Sequence, residues 1–163
     1  MYVGTAEQFM SLIDETEPSE SVVFSGIRQI LNIALSKLND TNQRIQETSL
    51  KVVQWSASKD KMCRSDILQF ALKPPASQNQ YVLITAKMEI LKDLLVNGKE
   101  QNIKIADTMG LVIPNLESRK IEVRQKAVEL FKVAHGIWGS KTERYLTKLP
   151  RLVKEQAMAA VSK

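Results

Sequence analysis

The side chains that most often carry acid–base or nucleophilic chemistry are scarce in this chain of 163 residues. Its single histidine, His135, could serve as a general base, and its single cysteine, Cys63, stands in the cationic segment 61–64, where a thiolate would be stabilised. His135, however, lies at helical spacing from Phe131 and Trp138, and Cys63 has no partner base near it in the sequence. Structural roles are therefore favoured for both residues, and the chain is predicted not to be an enzyme.

Motifs for cofactors, metals and membranes are also missing from the sequence. It contains no phosphate-binding glycine loop, zinc-ligand spacing or calcium loop, so we expect no cofactor and no small-molecule substrate. Trp55 and Trp138 could stack on nucleic-acid bases, but each comes late in an apolar-patterned segment, where packing inside the fold is favoured. The lone cysteine, the absence of a long apolar run and a first segment unlike a signal peptide predict a cytoplasmic protein without contact to a membrane.

Charge is unevenly distributed along the chain, whose net charge is +5. Residues 1–40 carry six acidic and two basic side chains, whereas residues 119–163 carry eleven basic and four acidic ones. A basic end could meet nucleic acid, an anionic membrane or an acidic protein surface. It could equally be the solvated face of a helix.

The elements that would position these residues are helices, because apolar residues recur at steps of three and four along nearly the whole chain. Between residues 23 and 38 they mark one face of a helix, and the polar run 39–42 then breaks the pattern. A second helix begins at Gln43. Its predicted inward positions are Ile45, Leu50, Val52, Val53 and Ala57.

The same two-helix unit returns 78 residues later, because segment 116–131 aligns without a gap on segment 38–53. Leu50 then aligns with Val128, which should also point inward. The offset is about twice the ~40-residue period of HEAT and armadillo repeats, and a third copy lies between the two. We therefore predict one all-α domain, 1–163, with an α-α superhelix of HEAT/armadillo type. Its parts are a leading helix near 5–15, hairpins at 21–58, 62–97 and 101–138, and a closing helix near 142–161.

Stacked hairpins place their internal turns along one edge. We call these turns the first corner (39–43), the second corner (73–79) and the third corner (117–121). They form a polar, mildly basic ridge that suits an acidic protein surface, although solvated loops without a partner would look the same in sequence.

Three stretches resemble the HEAT repeats of TOG domains, the tubulin-binding modules of microtubule regulators. They are LND at 38–40 with RI at 44–45, LKPPAS at 72–77 with MEILKDLL at 88–95, and LESRKIEVRQKAV at 116–128 with YL at 145–146. The resemblance covers roughly residues 21–150 and matches the later repeats of such a domain. It implies that the corners face tubulin. The partner-binding residues it implies are Asn42, Arg44, Lys73, Gln78, Asn79, Arg119 and Lys120.

The resemblance also implies a place in the cytoskeleton, at the tip of the cilium, the centriole or the centrosome, with tubulin or another ciliary or centrosomal protein as partner. Two alternatives stay open. The hairpins could be a general HEAT-repeat scaffold for some other protein, or a helical-repeat nucleic-acid binder that uses the basic C-terminal third.

Overall fold

The computed structural model describes residue 4 and residues 7–8, 10–12, 20–59, 61–77, 80–97 and 103–161, with the backbone alone for 20–24. All regular structure within these residues is helical, and no strand occurs among them. The all-α class predicted from the apolar periodicity is therefore confirmed.

From residue 20 onward, helices alternate with short connections, as the sequence pattern predicts. In chain order they are α1 (Glu20–Lys37), α2 (Gln43–Lys59), α3 (Lys61–Leu72), α4 (Tyr81–Val96), α5 (Ile105–Leu116), α6 (Ile121–Trp138), a 3₁₀ segment (Gly139–Lys148) and α7 (Arg151–Val161). The described residues before residue 20 are helical as well.

Contacts group the chain into two compact units, Met1–Gln69 and Phe70–Lys163. In the first unit α1 packs against α2, and Ile27, Leu31 and Val53 are among the side chains buried there. The assignment of residues 1–163 to a single domain stays a prediction.

In the second unit α6 is the central helix. It packs against α4, α5, the 3₁₀ segment and α7. Its fully buried Phe131 is the largest side chain of the core. The helix α4 begins just after the second corner, and α6 begins at the third. The packing of α4 on α6 therefore brings these two corners close to each other.

The sequence repeat is also a repeat of the buried face. In α2 and α6 the buried positions 78 residues apart are Ser49 and Ala127, Val52 and Leu130, Val53 and Phe131, and Ser56 and Ala134. For the preceding helices they are Leu31 and Met109, Ala34 and Val112, and Leu38 and Leu116. Two hairpins of one design therefore occur in the chain.

Among the predicted inward positions of the second helices, Val52 and Val53 are confirmed as buried, and the others are wrong. Leu50 and Val128 are only half-buried, as are Ile45 and Ala57, whereas Ser49 is fully buried. Its hydroxyl donates to the carbonyl oxygen of Ile45 at 2.7 Å, so burial leaves no polar group unsatisfied. Apolarity alone could not reveal this, because the buried face includes small polar residues.

The predicted closing helix near 142–161 is in fact two elements. Gly139 ends α6 at φ 60°, a backbone conformation that favours glycine, and a 3₁₀ segment follows. Leu149 is extended, because the ring of Pro150 disfavours a helical conformation at the residue before it. α7 then begins at Arg151.

Candidate interaction surface at the hairpin corners

Hydrogen bonds from side chains to the backbone shape the first corner. The Asp40 carboxylate accepts from the backbone N–H of Asn42 and from the Lys37 ammonium, both at 3.1 Å. These two donors hold the pKa of Asp40 below its ordinary value. Asn42 Oδ1 accepts from the Arg44 N–H at 3.0 Å, so Asn42 caps the first turn of α2. The corner is therefore tied down by its own polar side chains.

The first and third corners are also closed by equivalent clamps. Gln46 Nε2 in α2 donates to the carbonyl oxygen of Asp40. At the positions 78 residues later, Arg124 Nη1 in α6 donates to the carbonyl oxygen of Ser118 at 2.6 Å. In both corners a long side chain in the first turns of the second helix reaches back six residues to a free carbonyl.

At the second corner, a buried lysine side chain donates hydrogen bonds to free backbone carbonyl oxygens in the same way. Lys87 in α4 is only 2% exposed, and its ammonium donates to the carbonyl oxygens of Phe70, at 2.7 Å, and of Lys73. The ammonium also lies 4.6 Å from the centroid of the Phe70 ring. Burial, and then the charge of Lys73, lower the pKa of Lys87. The buried ammonium therefore ties the start of α4 to the end of α3.

The second and third corners lie side by side. Lys120 Nζ of the third corner is 5.3 Å from the ring centroid of Tyr81, the first residue of α4. A groove of about 760 Å³, which we call the corner groove, opens between them along α5. Its walls include Pro74, Pro75 and Tyr81 on one side and Pro114, Ser118 and Arg119 on the other. Together the two corners make one continuous surface.

Two charged side chains on α4 and two on α6 form ion pairs that connect these helices. Glu89 contacts Lys92 at 2.6 Å and Lys126 at 2.8 Å, and Glu129 contacts Lys92 at 3.2 Å and Lys126 at 3.1 Å. Burial opposes ionisation of both glutamates, but hydrogen bonds from the two lysines outweigh it, so the pKa of each carboxyl is lowered. We call these four side chains the charge ring. It stabilises the pair of helices from which the second and third corners project.

The structure places the predicted partner-binding residues on exposed corners, but in two units. Asn42 and Arg44 are exposed in the unit Met1–Gln69. Of the other predicted partner-binding residues, Lys73, Arg119 and Lys120 are exposed in the unit Phe70–Lys163. Gln78 and Asn79 lie outside the described residues. Alignment of the first corner with the other two stays a prediction.

Sequence reasoning missed the residues that build the corners from within. Lys87 had one signal, because a lysine at helical spacing between Ile84 and Leu91 interrupts an otherwise apolar face. Tyr81 and Gly110, which both line the corner groove, carried no signal. Their role depends on a neighbouring element that is distant in sequence.

Of the two candidates for acid–base or nucleophilic chemistry, Cys63 is fully buried and His135 is partly exposed. His135 Nε2 lies 3.6 Å from the Glu143 carboxylate, and its ring packs beside Phe131. No cluster of three or more His, Cys, Asp or Glu side chains suited to a metal occurs in the described part of the chain. Among the helices described, none has the length and hydropathy that a membrane crossing requires.

Comparison with known proteins yields no match to a protein-family model, to a curated protein or to a solved structure.

Proposed function

We propose that this chain is a non-enzymatic, HEAT-type interaction module of TOG-like character that binds tubulin through its hairpin corners. The observation that carries the proposal is that the second and third corners line one groove, beside which Lys120 Nζ lies 5.3 Å from the ring centroid of Tyr81 at the start of α4. Two corners on one surface are what a stack of hairpins presents to a partner. The equivalent buried faces of the first and third hairpins support the same architecture.

The charge of the surface supports an acidic partner. By sequence, the unit Phe70–Lys163 holds sixteen basic and nine acidic residues, a balance of +7. Lys73 and Arg119 are exposed, and neither side chain has an ion-pair partner among the described residues. An exposed charge pair contributes only about 0.2–1 kcal/mol, so several contacts must act together across a broad surface. A large acidic protein such as tubulin offers such a surface.

Charge reversal at the corners tests the proposal. The double variant Lys73→Glu/Lys120→Glu should weaken co-sedimentation with tubulin, because two attractive contacts become repulsive. The matched control is Lys132→Glu/Lys154→Glu, which makes the same change in net charge at exposed positions of α6 and α7 outside the corners. Circular dichroism should be unchanged in both variants. The proposal fails if the parent protein does not bind tubulin, or if both double variants bind equally well.

The basic C-terminal third supports nucleic-acid binding as a second candidate. A protein held by phosphate contacts loses affinity steeply as salt is added. Binding of duplex or single-stranded DNA should therefore be measured between low salt and about 0.15 M salt. Absence of binding at low salt eliminates this candidate, and a steep salt dependence together with no tubulin binding favours it.

A further inference from the structure

We propose that the corner groove binds an apolar anchor residue of the partner, presented on a segment rich in carboxylates. The inference rests on the proposed function and deepens it, because it states which chemistry the partner must offer. It is carried by the shape and composition of the groove, by the charges around it and by the glycine in its wall.

The groove has the composition of an anchor site. Its wall includes Leu72, Ile84 and Leu111 together with the prolines and Tyr81 described above. Its volume of about 760 Å³ lies within the range of pockets that bury a ligand rather than a single water. A few side chains that fill well-packed pockets, often aromatic ones, carry most of the energy of protein interfaces. A partner that contacts both corners therefore has an apolar site between them.

The charges around the groove favour carboxylates on either side of that anchor. Arg119 lines the groove, Lys120 lies against Tyr81, and Lys73 adjoins Pro74. Two carboxylates, of Asp107 and Glu117, also line the groove. Arg119 is the one cation among the described residues that line it, so the positive excess comes from Lys73 and Lys120 beside the groove and from the balance of +7 in the whole unit.

Gly110 supports a close approach of another chain. It is exposed in the middle of α5 and lines the groove, and a Cβ built on it would meet no atom within 4 Å. Neither packing nor a positive φ requires glycine at this position. A glycine inside a helix is less stable than alanine. Because Gly110 has no side chain, the groove is wider at this position, and the backbone of a bound segment can approach α5.

A labelled peptide tests the groove directly. The probe is a short fluorescein-labelled peptide with one central phenylalanine flanked by glutamates, and binding is measured by fluorescence polarisation on the full chain. Two comparison peptides replace the glutamates by lysines, or the phenylalanine by glycine. The parent protein should bind the first peptide at least about tenfold more tightly than the glycine peptide, because one buried aromatic side chain contributes that much. It should also bind the first peptide more tightly than the lysine peptide, because attraction to the surrounding cations becomes repulsion.

The substitution Gly110→Leu places a leucine side chain of α5 in the groove. Open space around the Cβ predicts that this variant folds with a Tm no lower than that of the parent. It should weaken probe binding at least about tenfold. Gly136→Leu is the matched control, because Gly136 is an exposed helical glycine with equally open surroundings that does not line the groove. The control should bind like the parent.

The outcomes separate this inference from the proposed function. Equal binding of the acidic and basic peptides, equal binding by Gly110→Leu, or no binding of the acidic peptide overturns the inference. If tubulin co-sedimentation survives Gly110→Leu but not the corner charge reversal, the corners bind tubulin without the groove. If the peptide binds as expected and tubulin does not, the groove accepts an acidic partner other than tubulin.

Discussion

Replacing Lys87 by methionine should destabilise the unit Phe70–Lys163 strongly, although lysine is normally a surface residue. Methionine keeps the length and most of the volume of the side chain, so the packing around it is preserved. What is lost is the ammonium that donates to the carbonyl oxygens of Phe70 and Lys73. These carbonyls lie at the end of α3, where no helical N–H remains to satisfy them.

The magnitude follows from opposing contributions. Hydrogen bonds from a charged donor contribute about 1.5–3 kcal/mol each, and burial of the ammonium offsets part of this, so we expect a net loss of about 2–3 kcal/mol. For a chain of this size such a loss lowers Tm by about 5–10 °C. The matched control is Lys132→Met, at an exposed position of α6, which should change the stability by less than about 0.5 kcal/mol.

The assay can be confined to the unit that contains Lys87. Trp55 belongs to the unit Met1–Gln69 and Trp138 to the other, so in a Trp55→Phe background tryptophan fluorescence reports on the second unit alone. Denaturation by urea should show a lower midpoint with an unchanged m-value. A midpoint equal to that of Lys132→Met would refute the role of the buried ammonium as a clamp.

The pH dependence of this variant supplies a second check, and its sign follows from the lowered pKa of Lys87. Between that pKa and the ordinary value of 10.5, the unfolded chain holds a proton that the folded chain has lost. Stability of the parent therefore rises with pH in that interval. The difference between parent and Lys87→Met should widen as the pH approaches 10.5 and then stop changing. A difference that narrows would contradict the assigned direction.

Two further changes probe the packing of the helices that carry the corners. In a double-mutant cycle of Glu89→Gln and Lys126→Met, the charge ring should give a coupling of about 0.2–1 kcal/mol. Because the pKa of Glu89 is lowered, that coupling should be present above about pH 4.5 and be lost as the pH falls through the folded-state pKa; a coupling that is independent of pH in acid would count against it. Ala127→Leu should cost about 1–3 kcal/mol by overpacking, whereas Val128→Leu should cost less than about 0.5 kcal/mol. Equal losses in chemical denaturation would show that the assigned register is incorrect.

The helices of this protein could be read from local patterns. The apolar steps of three and four that predict α1 lie on one face of a continuous helix, and Ile27, Leu31 and Ala34 are indeed buried. The 78-residue offset also appears in the structure, since α2 begins at Gln43 and α6 at Ile121. Each feature is recognised within short stretches of sequence, either from the spacing of apolar residues or from the alignment of two such stretches. No knowledge of tertiary contacts was needed for either.

The corners could be located but not assembled from the sequence. Exposure of Lys73, Arg119 and Lys120 follows from their polar turns, as predicted. The contact of Lys120 with Tyr81 and the groove beside Gly110 arise only when α4 and α5 both pack against α6. Their roles could not be predicted, because the residues that meet there are about forty positions apart.

What the sequence by itself determined is the alternation of helices and turns, because that depends on the periodicity of apolar side chains and on residues that end helices. Tertiary structure alone decided which positions flank the buried Val52 and Val53 on the inner face of α2, and which flank the equivalent positions in α6. Apolarity favoured Leu50 and Val128, yet a small side chain allows a closer approach of helices, and Ser49 and Ala127 occupy the interior instead. Tertiary structure also decided that Lys87 is buried, since only its position beneath the end of α3 supplies carbonyl oxygens to hold its charge.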